Sequence, residues 1–244
     1  MKVHAVLGAT GTGKTRLATK VAHSLDVPVV VADRLQCFTD IPIVSSRPAF
    51  DPRRRYLDRR TIPEGDLPPR RAYDLLLTTL RRLGDRHRTV VLEGGSISLL
   101  TRLFGDLGGV GFELHADVLP IGPDYAARTR ARVDEALERG LLVEFDRAWA
   151  HAEQRDFVAS IAGFDVLARW CRRRGVPPGR LAGVRDPART EIADELVRQA
   201  LLYADRQDDI LAAAGVKPLG EGRDQCCQAV TATLRRQGRV YQNH

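Results

Sequence analysis

An α/β fold, a parallel sheet flanked by helices, is what three stretches of this sequence predict. The first is LGATGTGKT at residues 7–15, a glycine loop set between an apolar run and a helical pattern. The second and third are the runs PVVVA at 28–32 and RTVVL at 88–92. Neither alternates apolar with polar residues, as a half-exposed strand would. Continuous runs of this kind suit strands buried on both faces, the condition inside a parallel sheet.

Taken in order, residues 3–7 (VHAVL) form the first strand and residues 8–13 the turn after it. Leu17, Val21 and Leu25 recur at helical spacing, so a helix is expected over 14–25. Residues 28–32 make the second strand, with Asp33 at its C-terminal end. Strand, loop, helix and strand in that order define a βαβ unit with parallel pairing. Residues 40–69 are rich in Pro, Arg and Asp with little periodicity, and predict an ordered but irregular excursion over the sheet edge. A helix follows over 70–83, then strands over 88–92 and 112–119. Pro123 suits a helix start, and the charge pattern carries that helix to 139. Further helices are expected over 156–174, stopped by Gly175, then over 188–214 and 222–237. The chain divides into a P-loop NTPase-like α/β core over 1–122 and a small C-terminal helical subdomain over 123–244, packed over the site.

Composition narrows the function classes. The 244 residues are 43% hydrophobic, enough for one sizeable core. No run reaches the roughly 18 apolar residues of a membrane span. Residues 1–7 lack the pattern of a signal peptide, so a cytoplasmic protein with no membrane partner is expected. The 38 Lys and Arg exceed the 31 Asp and Glu by 7, and the excess is mostly arginine. Guanidinium forks suit phosphates, whether on nucleic acid or on small polyphosphates. Cys37, Cys171, Cys226 and Cys227 form no metal-binding spacing, and the six histidines do not cluster.

Gly8, Gly13, Lys14 and Thr15 complete the pattern G-x-x-x-x-G-K-[ST]. Glycines let backbone amides turn toward anionic oxygens, and the helix N-terminus adds its positive end. Lys14 supplies charge, and the Thr15 hydroxyl is suited to Mg²⁺. In open α/β sheets ligands bind beyond the carboxyl ends of the strands. The glycine loop, Asp33 and Glu93-Gly94-Gly95 all fall there. Glu93 is the candidate acid of a Walker B strand, and Arg128, Arg130 and Arg132 could form a phosphate lid, so a small-molecule kinase is one reading. Asp33 points elsewhere. A carboxylate one strand from the phosphate loop suits a general base acting on a nucleophile brought to the phosphate-bearing substrate. Taken alone, an aspartate there is more often a helix cap or a salt-bridge partner.

Larger stretches carry a resemblance. Ala32-Asp33-Arg34-Leu35-Gln36-Cys37, Ser45-Ser46-Arg47-Pro48, Arg55-Tyr56-Leu57-Asp58, Glu64-Gly65 and LEGGSISLL at 92–100 follow the glycine loop in that order. Together they resemble the isopentenyltransferase family, most of all its bacterial adenylate-using branch. The match is dense over residues 1–100 and thin beyond.

The resemblance implies a donor, dimethylallyl diphosphate, and an acceptor, the exocyclic amine of AMP. By resemblance Asp33 is the catalytic base, Thr10 contacts the reaction centre, and Lys14 assists catalysis. Gly11, Gly13, Lys14 and Thr15 hold the diphosphate, with Mg²⁺ on Thr15. Ser45 contacts the nucleotide, and Arg47 is a candidate for the same role. Arg128 and Arg132 share one helix face and either close over the diphosphate or form a solvated face. Arg206, within Ala204-Asp205-Arg206-Gln207, is a further candidate diphosphate ligand. Relatives that favour a hydroxylated donor carry an Asp and a His in the prenyl pocket. The Asp position falls at Ala162 and the His position at Leu202 or Tyr203. The loss of the Asp, and an apolar Leu202, imply preference for the plain dimethylallyl donor, because an unpaired buried hydroxyl costs about 1–3 kcal/mol.

A tRNA-modifying enzyme of the same family is the first rival. It would need an RNA-gripping insertion, and little more than residues 144–155 is available for one. No basic stripe interleaved with aromatics is present, so nucleic acid is not the expected partner. A non-catalytic nucleotide binder would have no evident need of Asp33 beside Lys14 and Thr15. The sequence carries no signal for oligomeric state, and AMP, ADP and ATP stay open as acceptors.

Overall fold

Residues along the first strand point alternately into two apolar layers. The computed structural model describes residues 1–48, 50–106 and 108–216. Val3, Ala5 and Leu7 of β1 (Lys2–Gly8) join the main core, while Val6 packs with Ala18 and Ala22 of α1 (Lys14–Leu25) on the other face. β2 (Val29–Ala32) and β4 (Thr89–Gly94) divide in the same way: Val30, Ala32, Val90 and Leu92 on one side, Val29 and Val91 on the other. With both faces covered, the strands have no exposed side to make polar.

Among the described residues the sheet has five strands, completed by β3 (Arg54–Tyr56) and β5 (Glu113–Leu119). Their order is β3-β2-β4-β1-β5, and every pairing is parallel. β1 therefore lies between β4 and β5, and the chain leaves it to cross β4 before forming β2. Register places Val6 and Val31 on either side of Glu93. The ends of β1, β2 and β4 thus open onto one crevice.

The remaining helices are α2 (Pro69–Gly84), α3 (Ile97–Gly105), α4 (Tyr125–Glu138), α5 (Leu141–Trp149), α6 (Arg155–Ser160), α7 (Phe164–Arg174) and α8 (Ala188–Ala213). The parallel α/β sheet flanked by helices is as the sequence predicts, and α1 has the predicted bounds. Four elements differ. The excursion over 40–69 contains the edge strand β3, too short at three residues to show a period. The helices α3 and α5 follow glycine-rich or charged stretches that masked their apolar faces. The helix expected over 156–174 is two, broken at Ile161–Ala162–Gly163. Gly163 has φ 95°, and its amide donates to Asp165 Oδ1 at 2.9 Å, so the turn starts α7 afresh. The helix expected over 222–237 lies outside the described residues.

Candidate active site

The phosphate loop is shaped by two glycines. Gly8 ends β1 with φ 129°, and a side chain there would stand 2.8 Å from the Leu119 carbonyl oxygen. Gly11 has φ 90°, and the Arg132 guanidinium fills the space where its side chain would project. Gly13 caps α1, whose first residue is Lys14. Lys14 Nζ donates to the Ala9 carbonyl at 2.7 Å. Burial pushes this ammonium down to about 8, while the negative charges of Glu93 and Asp33 resist the shift. Thr15 Oγ1 donates to Glu93 Oε1 at 2.5 Å. Glu93 is 4% exposed and forms an ion pair through Oε2 with Arg54 at 2.7 Å.

Asp33 serves two purposes at once. Its Oδ1 accepts from the amides of Leu35 at 2.9 Å and Gln36 at 3.4 Å, capping the short turn after β2. Among the described residues Oδ2 takes no hydrogen bond. Burial raises the Asp33 pKa, and the two amides and Lys14 pull it back. The cap reading and the base reading of this residue are therefore compatible, one oxygen each.

Across the crevice, Glu144 of α5 is buried and accepts the amides of Ile43 and Val44, both at 2.8 Å. It thereby fixes the turn that carries Ser45. Ser45 itself is buried, and its hydroxyl donates to the Ile41 carbonyl at 2.8 Å. Arg47 donates to the Gln36 carbonyl and lies 3.9 Å from the centre of the Tyr56 ring. The acceptor-side candidates Asp33, Ser45 and Arg47 thus belong to one wall.

The helices supply the opposite wall. The Thr10 carbonyl accepts from Tyr125 at 2.8 Å and from Arg132 at 3.2 Å, both of α4, and leaves the Thr10 side chain exposed. Burial lowers the Arg132 pKa. Arg128, on the same helix face, turns back to Asp124. Arg130 binds Asp134 at 3.0 Å and Asp194 at 2.6 Å, tying α4 to α8. It is a structural clamp between helices. On α8, Tyr203 accepts the Ile97 amide at 3.4 Å, and its phenol senses the charge of Asp33. One turn later Gln207, 1% exposed, donates to the Gly95 carbonyl. Ala204 packs between them against Ala9 and Tyr125. Arg206 is exposed, and Leu202 is 54% exposed. Ala162 is exposed in the break between α6 and α7.

The fold therefore gathers Thr10, Gly11, Gly13, Lys14, Thr15, Asp33, Glu93 and Arg132 around one crevice. It gives Arg128 another partner and leaves Arg206 and Leu202 at the surface. Sequence reasoning missed Tyr125, Glu144, Gln207 and Arg54 as parts of this architecture. Only Gln207 lay in a stretch that drew notice. The others have no local signal, because their partners are about 40 to 115 positions away in the chain.

A parallel sheet with this glycine loop, lysine and hydroxyl–carboxylate pair at its carboxyl edge defines a P-loop α/β protein. The chain belongs to the isopentenyl transferase family, whose model matches residues 1–221. It is accordingly a prenyl-transferring enzyme. It is 42% identical over 207 residues to an adenylate dimethylallyltransferase of Rhodococcoides fascians, covering 80% of each chain. It is 28% identical over 211 residues to an adenylate dimethylallyltransferase of Ralstonia solanacearum, covering 82% of this chain and 89% of that one. Among solved structures, a tRNA isopentenylpyrophosphate transferase of Staphylococcus epidermidis superposes with a TM-score of 0.69 at 12% identity, covering 89% of this chain and 92% of that one. A eukaryotic dimethylallyltransferase acting on tRNA gives 0.67 at 15% identity, covering 89% and 73%. At such identities the structural likeness speaks to the fold alone.

Proposed function

We propose that this enzyme transfers a dimethylallyl group from dimethylallyl diphosphate to the N6 amine of AMP, releasing diphosphate and forming a cytokinin nucleotide. The observation that carries this reading is Asp33, whose Oδ1 is committed to the turn while Oδ2 takes no hydrogen bond from a described residue, and whose carboxylate feels the charge of Lys14 in the phosphate loop. The names of the relatives support the same substrates.

An adenine amine is a weak nucleophile, since its lone pair is delocalised into the ring. Asp33 Oδ2 accepts a proton from N6 as N6 bonds to the allylic carbon. The carbon–oxygen bond to diphosphate breaks, and the electron pair leaves with the oxygen. General-base assistance of this kind contributes about 10²–10⁴-fold. Lys14, Arg132 and the loop amides stabilise the charge gathering on the leaving group, from positions already fixed. Tyr125 and Arg132 hold Thr10 by its carbonyl, so its side chain stands at the mouth of the site.

Thr15 and Glu93 fit a Mg²⁺ ion that arrives with the diphosphate. Among the described residues no cluster of three or more His, Cys, Asp or Glu suits a metal. Two hard oxygens suit Mg²⁺, which keeps several waters and takes the rest of its ligands from substrate phosphates. When bound, the ion neutralises part of the diphosphate charge.

The test is a mass-spectrometric assay that pairs AMP, ADP, ATP and tRNA with dimethylallyl, hydroxylated and geranyl diphosphates. The expected product is dimethylallyl-AMP. Product on tRNA alone would overturn the proposal in favour of RNA modification. Phosphate transfer from ATP without an allylic donor would favour a kinase.

A further inference from the structure

Glu93 is held by a residue of the edge strand. β3 pairs with β2 and not with β4, so Arg54 reaches Glu93 past an intervening strand. The two side chains are 1% and 5% exposed, and their charged ends are 2.7 Å apart. Among the described residues Glu93 is the one carboxylate that pairs with Arg54. The three guanidinium nitrogens are buried and none meets hydrogen-bond geometry with a described residue, so the Glu93 carboxylate, with the Tyr56 ring 6.0 Å from the guanidinium carbon, faces the buried charge. A buried ion pair is a poor source of stability, because desolvation of two charges offsets their attraction. What the pair does accomplish is geometric. With Oε2 held by Arg54, Oε1 faces Thr15 at 2.5 Å.

β3 also touches the acceptor wall. Arg54 and Tyr56 are two residues apart and so share one face of the strand. Tyr56 lies under Arg47, which is bonded to the Gln36 carbonyl in the turn that Asp33 caps. One short strand therefore abuts both the carboxylate beneath the phosphate loop and the turn that carries the base.

We propose that Arg54 is a positioning residue for diphosphate binding. It fixes the Glu93 carboxylate, and through it the Thr15 hydroxyl, without touching substrate. This rests on the donor reading above, in which Thr15 and Glu93 meet the diphosphate and its cation.

The experiment is calorimetric titration of the full chain with inorganic diphosphate plus Mg²⁺, and separately with AMP. Arg54→Met should weaken diphosphate by about 10–100-fold, the usual cost of losing an outer-shell partner, and leave AMP affinity unchanged. Arg54→Lys keeps the charge but loses the fork, and should fall between. In a Glu93→Gln background either substitution should add little. Equal loss of both ligands, an unchanged diphosphate affinity, or full additivity with Glu93→Gln would each overturn the inference. If Arg54→Met does not fold, the cycle between Arg54→Lys and Glu93→Gln decides on the same criteria. A wild-type protein that binds no diphosphate with Mg²⁺ would sink the donor reading and this inference together. A wild-type protein that binds it, with Arg54 variants that bind it equally, would sink this inference alone.

Discussion

The phosphate loop and the acceptor wall border the same crevice but reach it by different means. The loop is eight contiguous residues, 8–15, running from the last residue of β1 into the start of α1, and its backbone is dictated by its own glycines. The acceptor wall draws on Asp33 after β2, the turn over 41–46, Arg47, and Glu144 of α5, about 100 positions further on. The first can be written as a pattern of residues. The second exists only when α5 docks and its carboxylate collects two backbone amides. The loop takes its backbone shape locally and is then closed by Tyr125 and Arg132 of α4, whereas the acceptor wall has no shape until each member that holds it is in place.

The sharpest way to break that comparison is at the base. Asp33→Asn keeps the cap on the Leu35 amide but removes the proton acceptor. Turnover should fall by about 10²–10⁴-fold, with diphosphate affinity retained, as single-turnover rates and calorimetry would show. Loss of diphosphate binding in that variant would mean that the two walls are not separable.

Next in size is the loop. Gly11→Ala forces a side chain into a left-handed conformation, at about 1–2 kcal/mol, and displaces the Arg132 guanidinium. Donor affinity should drop by about tenfold or more, since 1.36 kcal/mol is tenfold, with AMP affinity spared. Glu144→Gln is the mirror experiment. It replaces one of the two acceptors of the Ile43 and Val44 amides with a donor, and leaving a buried amide unpaired costs about 1–3 kcal/mol. The KM for AMP should rise while diphosphate binding holds, alongside a lower melting temperature.

The pH profile separates the two walls in one measurement. The Lys14 pKa is lowered to about 8, so the ammonium is progressively lost as pH rises through that value. The kcat/KM for donor, which reports the free enzyme, should decline above about pH 8. The Asp33 pKa is raised by burial, so on the acid side the carboxylate is lost as pH falls. Lys14→Arg should move the alkaline limb and leave the acid limb in place. The smallest effect is expected from Tyr203→Phe, which removes a hydroxyl from the Ile97 amide. A loss of about 0.5–1.5 kcal/mol per hydrogen bond predicts a change in kcat/KM of a few-fold.

Much of the donor wall was legible in the sequence because its information is local. Glycine at 8 and 13, lysine at 14 and a hydroxyl at 15 specify a backbone and its ligand class within a few residues. The apolar runs at 28–32 and 88–92 similarly announce strands buried on both faces. The resemblance extended this reading to Asp33, whose free oxygen and bonded oxygen the structure then distinguished. Legibility failed where a side chain's partner lies far away. Nothing near Arg128 distinguishes it from Arg132, yet one closes on the phosphate loop and the other turns to Asp124. Arg130 read as a lid residue and is a clamp to Asp194 on α8.

By itself, the sequence determined the fold class, the phosphate loop, α1 and the acid at the end of β2. Each follows from backbone preference and burial pattern over a dozen residues or fewer. The tertiary structure alone decided which arginine closes the loop, which carboxylate steadies Ser45's turn, and that Tyr203 and Gln207 clasp the turn after β4. Those choices depend on where helices dock, and docking is set by the sum of many weak apolar contacts spread along the whole chain.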